Sequence, residues 1–359
     1  MSLSFHSMAP NSASTENNTV EIRYDVKKLP PWDQLNSKIR RIEESSSWMD
    51  RYGWDWIHII TACALVPGCL RMLAPGEDKT WFQYATATFL LGCYHCTLAN
   101  KAGHISVHGA LCQSKTMSKF WMHFFVEFIG SYSVFAGVDS HVKMHHPHTN
   151  IIGLGDSSIW KVPQLSRIPY MIFMPLLVPI ITPLIAVQHL IELKAWKELP
   201  KFFLIAGSGL ALHVYVLVKC SEFTVLGAIA YLFTYRAVMS ISYIHINIFQ
   251  HIGLPMFSPE HRPARIYQMS SGVLNLHSNL LLNVTMGHSL VSCHVQHHLF
   301  PRLSDNMCKK VEPVVKEYLQ KNGLPYHEDS YFNRFFIFLR DYDTLMVNAP
   351  PITHFVGIQ

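Results

Sequence analysis

The stretch His294-Val295-Gln296-His297-His298 places three imidazoles within five residues. On a helix, positions i, i+3 and i+4 share one face, so His294, His297 and His298 are expected to point at one spot. Imidazole is a good ligand for iron, zinc, copper and nickel. Three further clusters carry the same chemistry: His104 and His108 at i, i+4; His141, His145 and His146; and Asn247 with His251, again at i, i+4. Nine histidines and one amide oxygen exceed the roughly six ligands of a single octahedral ion, so the count points to two ions.

The elements that must position these clusters are membrane helices. Of the 359 residues, 49% are hydrophobic and only 15% charged, against about 25% charged in an ordinary soluble domain. The net charge of +5 suits the cytosolic face of an anionic membrane. No basic arm or nucleic-acid motif is present, which excludes a nucleic-acid partner. The eight cysteines are scattered, several of them in apolar runs, and do not read as a disulfide framework. Cys93 and Cys96 sit in such a run and read as small hydrophobes. Residues 1–20 are polar, show no signal peptide and are expected to be disordered.

Basic residues at Lys27, Lys28, Lys38, Arg40, Arg41 and Arg51 lead into the first apolar run, so the N-terminus is expected in the cytosol. Runs at 54–74, 81–100, 202–218 and 223–244 are expected to span the bilayer. The run 168–191 holds Pro169, Pro175, Pro179 and Pro183 and is expected to be interfacial or re-entrant, because an odd number of later spans would separate the histidine clusters. Residues 118–138 read as an amphipathic surface helix. Ser304–Gln320 reads as a helix stopped by Gly323 and Pro325. All four clusters then fall past span ends on one side, where metal-binding groups mark function.

Histidine boxes of the forms His-x-x-x-His, His-x-x-x-His-His and His-x-x-His-His, placed this way between spans, resemble the membrane fatty acid desaturase and hydroxylase superfamily. His145-His146-Pro147-His148-Thr149-Asn150 and His297-His298-Leu299-Phe300-Pro301 look like its fatty acid desaturase branch. The run from His141 to Pro163 looks most like the vertebrate fatty acid desaturase 6 group, and the resemblance covers about residues 50–325. Front-end desaturases differ: they begin the last box with Gln where this chain has His294, and they carry a His-Pro-Gly-Gly heme motif that is not in this sequence.

The resemblance implies an all-α integral membrane protein with a cytosolic helical cap over a histidine-rich di-metal site. It implies an O2-dependent fatty acyl desaturase with two iron ions held by His104, His108, His141, His145, His146, His251, His294, His297 and His298. Asn247 would act directly or through water, and Asp156 or Asp139 would accept a ring N–H from a ligand. The implied partners are a fatty acyl substrate, membrane lipids and a separate electron donor such as cytochrome b5 with its reductase, in the endoplasmic reticulum. The expected division is a cytosolic segment at 1–50, the desaturase domain at 51–325 and a cytosolic tail at 326–359. His148, His123, His277 and His288 stand near the boxes as possible orienting groups, and His95 as a packed core residue. The loop His261–Arg265 reads as a basic patch able to meet acyl-CoA phosphates. Two other readings fit the residues: a lipid hydroxylase on the same scaffold, and a histidine-rich metal transporter, whose ligands should instead lie near mid-membrane.

Overall fold

The computed structural model describes residues 29–76, 80–155, 161–162, 164–260 and 262–347. Its elements in order are α1 (Trp32–Ser45), α2 (Trp54–Leu73), α3 (Trp81–Cys96), α4 (Gly103–Val107), α5 (Lys115–Met122), α6 (Val134–Gly137), α7 (Val178–Glu192), α8 (Glu198–Cys220), α9 (Val225–Ala237), α10 (Ser240–Phe249), α11 (Arg265–Gly272), β1 (Leu274–Leu276), α12 (Leu280–Thr285), α13 (His294–Leu299), α14 (Asp305–Lys321), β2 (His327–Asp329) and α15 (Tyr331–Arg340). Among the described residues, four helical stretches are long and apolar enough to cross a membrane: Met49–Leu73, Pro169–Glu192, Glu198–Cys220 and Val225–Phe249.

This set differs from the expected one at two places. The prolines of 168–191 were expected to break that run. Instead three of the four sit at the openings of successive segments, Pro169 in a π-helical turn, Pro175 in a 3₁₀ turn and Pro179 at the start of α7, while Pro183 lies inside α7. A proline in a first turn removes an N–H that has no helical partner anyway, so the helix continues. Conversely, α3 has only 16 α-helical residues before a π-helical stretch, Thr97–Ala102, that carries Asn100 and Lys101.

Packing shows how these helices run. Near one end Ile59 clusters with Leu98, while Cys69 and Leu73 cluster with Ala87 and Leu91 at the other, so α2 and α3 lie antiparallel along their lengths. Leu217, Ala228 and Leu232 join the second cluster, which closes the α8–α9 hairpin at the end away from the histidines. α7 behaves differently. Just before it, the Met171 carbonyl accepts the His245 Nε2–H at 2.8 Å. Its last turns, through Ala186 and Leu190, pack on Phe202 and Ala206.

The stretch 118–138, expected as one amphipathic helix, stops at Ile129. There Ser131 takes a left-handed backbone with φ 58. Buried Arg236 holds that break, donating to the Ser131 hydroxyl at 3.0 Å and the Ile129 carbonyl at 2.9 Å. Over the bundle end sits a cap built from α1, α11, α13 and α14, with Leu35, Ile39, Val295, Leu299, Val311 and Val315 in its core. α14 forms as expected, with Ser304 capping the Met307 N–H and Gly323 beyond its end at φ 65. Residues 326–347, set apart in sequence as a tail, are packed here. β2 pairs in parallel with β1, and Phe338, Tyr342 and Met346 are buried in the core beside α10.

Candidate metal centre

The nine histidines converge into two groups. His104, His108, His141, His146 and His297 form one, and His145, His251, His294 and His298 the other; within each, the ligand nitrogens all lie within 4.8 Å of one another. Between His104 and His141 the Nε2 atoms are 3.1 Å apart, and between His141 and His146 they are 3.2 Å apart. In the second group the His294 Nε2 stands 2.9 Å from that of His251 and 3.1 Å from that of His298. Two nitrogens bound at about 2.1 Å to one ion and at right angles are about 3.0 Å apart, so these spacings fit shared coordination spheres. Buried nitrogens left over support the same reading. Among the described residues, His108 Nε2 and both nitrogens of His297 have no hydrogen-bond partner, and an ion is one of the few things that can satisfy a bare nitrogen on each of these rings.

Local backbone geometry decides which histidine joins which group. The sequence spacing suggests that His141 and His145 share a face. The segment Val138–His145 is instead π-helical, and the His146 N–H bonds the His141 carbonyl five residues back, at 3.1 Å. The wider turn puts His146 with His141 and sends His145 to the other group. α13 also divides its box: His294 and His298 enter one group and His297 the other. One face of this helix therefore serves both histidine groups, a correction to the single spot read from the spacing. His104 and His108 stay together, as expected from i, i+4 spacing.

A second layer fixes the ring orientations. The Nδ1–H of His145 donates to the Gly155 carbonyl at 3.0 Å, that of His294 to the Ser289 carbonyl at 2.8 Å, and that of His251 to the Gly272 carbonyl at 3.4 Å. A carbonyl only accepts, so these rings carry their proton on Nδ1 and present a lone pair on Nε2. The Thr149 hydroxyl spends its proton on the His145 carbonyl at 2.8 Å and so accepts the His298 Nδ1–H at 3.0 Å. Burial disfavours the charged form throughout. It pushes the imidazoles of His108 and His294 down to about 3, and those of His146, His297 and His298 well below the usual range. Neutral imidazole is the form that binds metal.

Of the two carboxylates expected to orient a ligand, only Asp139 is among the described residues. Asp139 pairs with Lys143 at 3.5 Å on its own turn, and Asp156 lies outside the described residues. The orienting atoms are backbone carbonyls and the hydroxyls of Thr149 and Ser289, which sequence spacing does not single out. The neighbouring histidines have other partners: His123 bonds Glu127 at 2.8 Å, His148 accepts from Arg262 at 2.9 Å, and His288 bonds Ser292 at 2.9 Å. His277 is exposed. His95 is half-buried, with its ring edge-on to Tyr235 at 6.3 Å. In the basic loop, His261 lies outside the described residues. Arg265 donates to the His298 carbonyl at 2.6 Å, so it supports the last box from behind. The Asn247 amide donates to the Tyr243 carbonyl at 2.7 Å.

The loops carrying the boxes are themselves held by buried amides. Asn150 Nδ2 donates to the carbonyls of Gly272, Pro255 and His251 at 3.0, 3.1 and 3.2 Å. Asn275 accepts the Val295 N–H at 2.8 Å and donates to Gln296 at 3.1 Å and Tyr326 at 2.8 Å, tying β1 to α13.

Comparison with known proteins agrees with this arrangement. Residues 79–330 match the family model described as Fatty acid desaturase. The chain is 47% identical over 330 residues to "Fatty acid desaturase 6" of Bos taurus, covering 91% of this chain and 94% of that protein. It is 44% identical to the Homo sapiens protein of the same name over 329 residues, covering 90% of each. The Mus musculus counterpart is 44% identical over 348 residues, covering 93% of this chain and 99% of that one. With a site built from nine converging histidines and a family match across the whole of it, the chain belongs to the fatty acid desaturase family, a family of oxidoreductases.

Proposed function

We propose that this protein uses two iron ions, electrons from a separate donor and O2 to place a double bond in a fatty acyl chain. The observation carrying the proposal is the sorting of nine histidines, six of them buried and three half-buried, into groups of five and four. Nitrogen donors suit several transition metals. The reaction narrows the choice, because removing hydrogen from an unactivated methylene needs a redox metal that works with O2. Two ions held there supply an oxidant strong enough for that bond. The balance is one CH2–CH2 unit, one O2, two electrons and two protons in, and one CH=CH unit and two waters out. Histidines supply no electrons, so a one-electron carrier such as cytochrome b5, with its reductase, must deliver them.

The chain's own residues do three things in this reading. The histidines hold the ions as neutral ligands, with Asn247 contributing directly or through a water. The carbonyls of Gly155, Gly272 and Ser289 and the hydroxyl of Thr149 keep each ring in one tautomer, so the ligand set is organised before the ions arrive. Burial under the α1–α14 cap excludes water from the reacting centre, which limits side reactions of the oxidant.

The same reading assigns the topology. Both ends of the stretch Pro169–Glu192 contact the histidine-bearing end of the bundle, so this stretch lies along the membrane surface, and α3, paired along α2, makes the fourth crossing. The cap, the boxes and both termini then face the cytosol, with the endoplasmic reticulum as the compartment. Expression in a desaturase-deficient host, with analysis of the acyl products and of metal in the purified protein, tests the proposal. A new double bond that disappears in His298→Ala is the expected result. A hydroxylated product would move the assignment to hydroxylase, and zinc alone in protein made with iron present would remove the di-iron reading.

A further inference from the structure

Beside the histidines lies a buried charged cluster that the proposed reaction does not use. Lys101, fully enclosed, stands 3.0 Å from Asp305 and 3.7 Å from Asp55, and donates to His58 Nδ1 at 2.7 Å. Asp305 is equally enclosed. Its Oδ1 accepts both the Ser289 backbone N–H at 2.7 Å and the Ser289 hydroxyl at 2.8 Å. The turn leaves room for this carboxylate because residue 287 is glycine. Its φ is +97, and a Cβ there would come within 2.5 Å of Asp305 Oδ1.

Ser289 is the joint between this cluster and both ligand groups. Its hydroxyl proton is committed to Asp305, so its oxygen is free to accept the His104 Nδ1–H, 3.4 Å away. Its carbonyl accepts the His294 Nδ1–H at 2.8 Å. One residue therefore orients a ligand of the five-histidine group and a ligand of the four-histidine group. Lys101 stands one turn before His104 on the same continuous helical path and ties that path to Asp305. Burial alone would raise the Asp305 carboxyl, but the Lys101 ammonium and the backbone N–H of Ser289 hold it below the usual carboxylate range, so it serves as a fixed acceptor.

We infer that Asp305, acting through Ser289 and anchored by Lys101, is a positioning residue that sets His104 and His294 together and so couples the two metal groups. The inference rests on reading those groups as metal sites. Removing the hydroxyl of Ser289 takes the acceptor from His104 but leaves the carbonyl of His294 in place. Removing the carboxylate of Asp305 loosens Ser289 and hence both rings.

The test uses full-length protein purified from iron-supplied cells, with iron per chain followed during exposure to an excess of a strong chelator. Ser289→Ala should release one of its two ions about tenfold or more faster than the unmodified protein and the other at the unmodified rate. Asp305→Asn should release both faster. Cys308→Ala, a buried change on α14 whose thiol bonds the Leu303 carbonyl at 3.9 Å, provides the comparison. It should lower the unfolding temperature while leaving both release rates within about twofold. Mössbauer spectra should show one altered iron site in Ser289→Ala and two in Asp305→Asn. If Ser289→Ala keeps both release rates and both spectra, or if Cys308→Ala changes them as much, the brace is ordinary packing and the inference is overturned. Should Asp305→Asn fail to fold, Ser289→Ala decides alone. Unmodified protein that holds no metal would overturn the reading of the site itself, and this inference with it.

Discussion

Replacing Asn150 tests how much the site depends on the loop behind its second box. The Asn150 amide nitrogen has two hydrogens and serves three carbonyls, those of Gly272, Pro255 and His251, at 3.0–3.2 Å. Asn150→Ala removes both donors. A buried carbonyl left without a partner costs about 1–3 kcal/mol. Gly272 keeps a second donor, the His251 Nδ1–H at 3.4 Å, so its loss falls at the low end. Asn150 also has φ 54, a left-handed backbone that asparagine tolerates and alanine resists by roughly 1 kcal/mol. Together these give about 3 kcal/mol, a large part of the 5–15 kcal/mol that holds a typical domain. At ~2–4 °C per kcal/mol for a chain of this class, unfolding in detergent should shift down by ~6–12 °C. Asn150→Asp should be worse than alanine despite its matching shape, because it turns an acceptor toward three acceptors. Since the clamp holds the backbone of His251, the four-histidine group should lose its ion first as temperature rises. Thermal unfolding and metal content measured together check both points. Aspartate tolerated as well as alanine, or an alanine shift below about 2 °C, would refute the clamp.

Other outcomes follow from the same geometry. His297→Ala and His298→Ala, adjacent in sequence, should each leave about one ion per chain but from different groups, distinguishable by Mössbauer spectroscopy; loss of the same ion by both would contradict the division of α13. Asn247→Ala should cut turnover strongly while losing much less iron than His251→Ala, and full activity in that variant would remove Asn247 from the site. A glycosylation sequon placed at the Ser221–Glu222 turn should be modified in cells and one at the Pro301–Arg302 turn should not; the reverse pattern would invert the proposed orientation. For the metal-free protein, burial holds His104, His108, His141, His146, His251, His294, His297 and His298 below 6.5 in the folded state, with His108 and His294 near 3. The unfolded chain then binds more protons than the folded one between about pH 6.5 and 3, so stability should fall on acidification through that window and stay flat from pH 7 to 8. An unfolding temperature that rises on acidification from pH 6.5 to 5 would refute this.

Much of the site could be read from residue types alone. The i, i+4 pair His104 and His108 works as helical spacing predicts, because the turn that carries it is regular. The helix after Ser304 was marked by its cap residue and by the glycine beyond it. The second box was only half legible: its residues were identifiable, but the grouping of His141 with His146 depends on a π-helical turn stabilised by its surroundings. The prolines of 168–191 leave the run helical, since their effect depends on where in a turn they fall rather than on their number.

The donor inventory is legible without a fold: nine imidazoles, enough for two ions, set at the ends of apolar runs, on a chain of low charge suited to a bilayer. Ligand chemistry and hydropathy are properties of residues taken singly or a few positions apart, so no fold is needed to see them. Tertiary structure decided the partition and the orientation. Which of His297 and His298 serves which group, and the tautomer of each ring, depend on atoms far away in the chain. Thr149 lies 149 residues from His298, and Ser289 lies 185 residues from His104. Buried Asp305 and Lys101 acquire their role in the same way. A lone charged residue in a sequence reads as surface; it becomes a fixed acceptor or an anchor only when folding removes water and brings its counter-charge within about 3 Å.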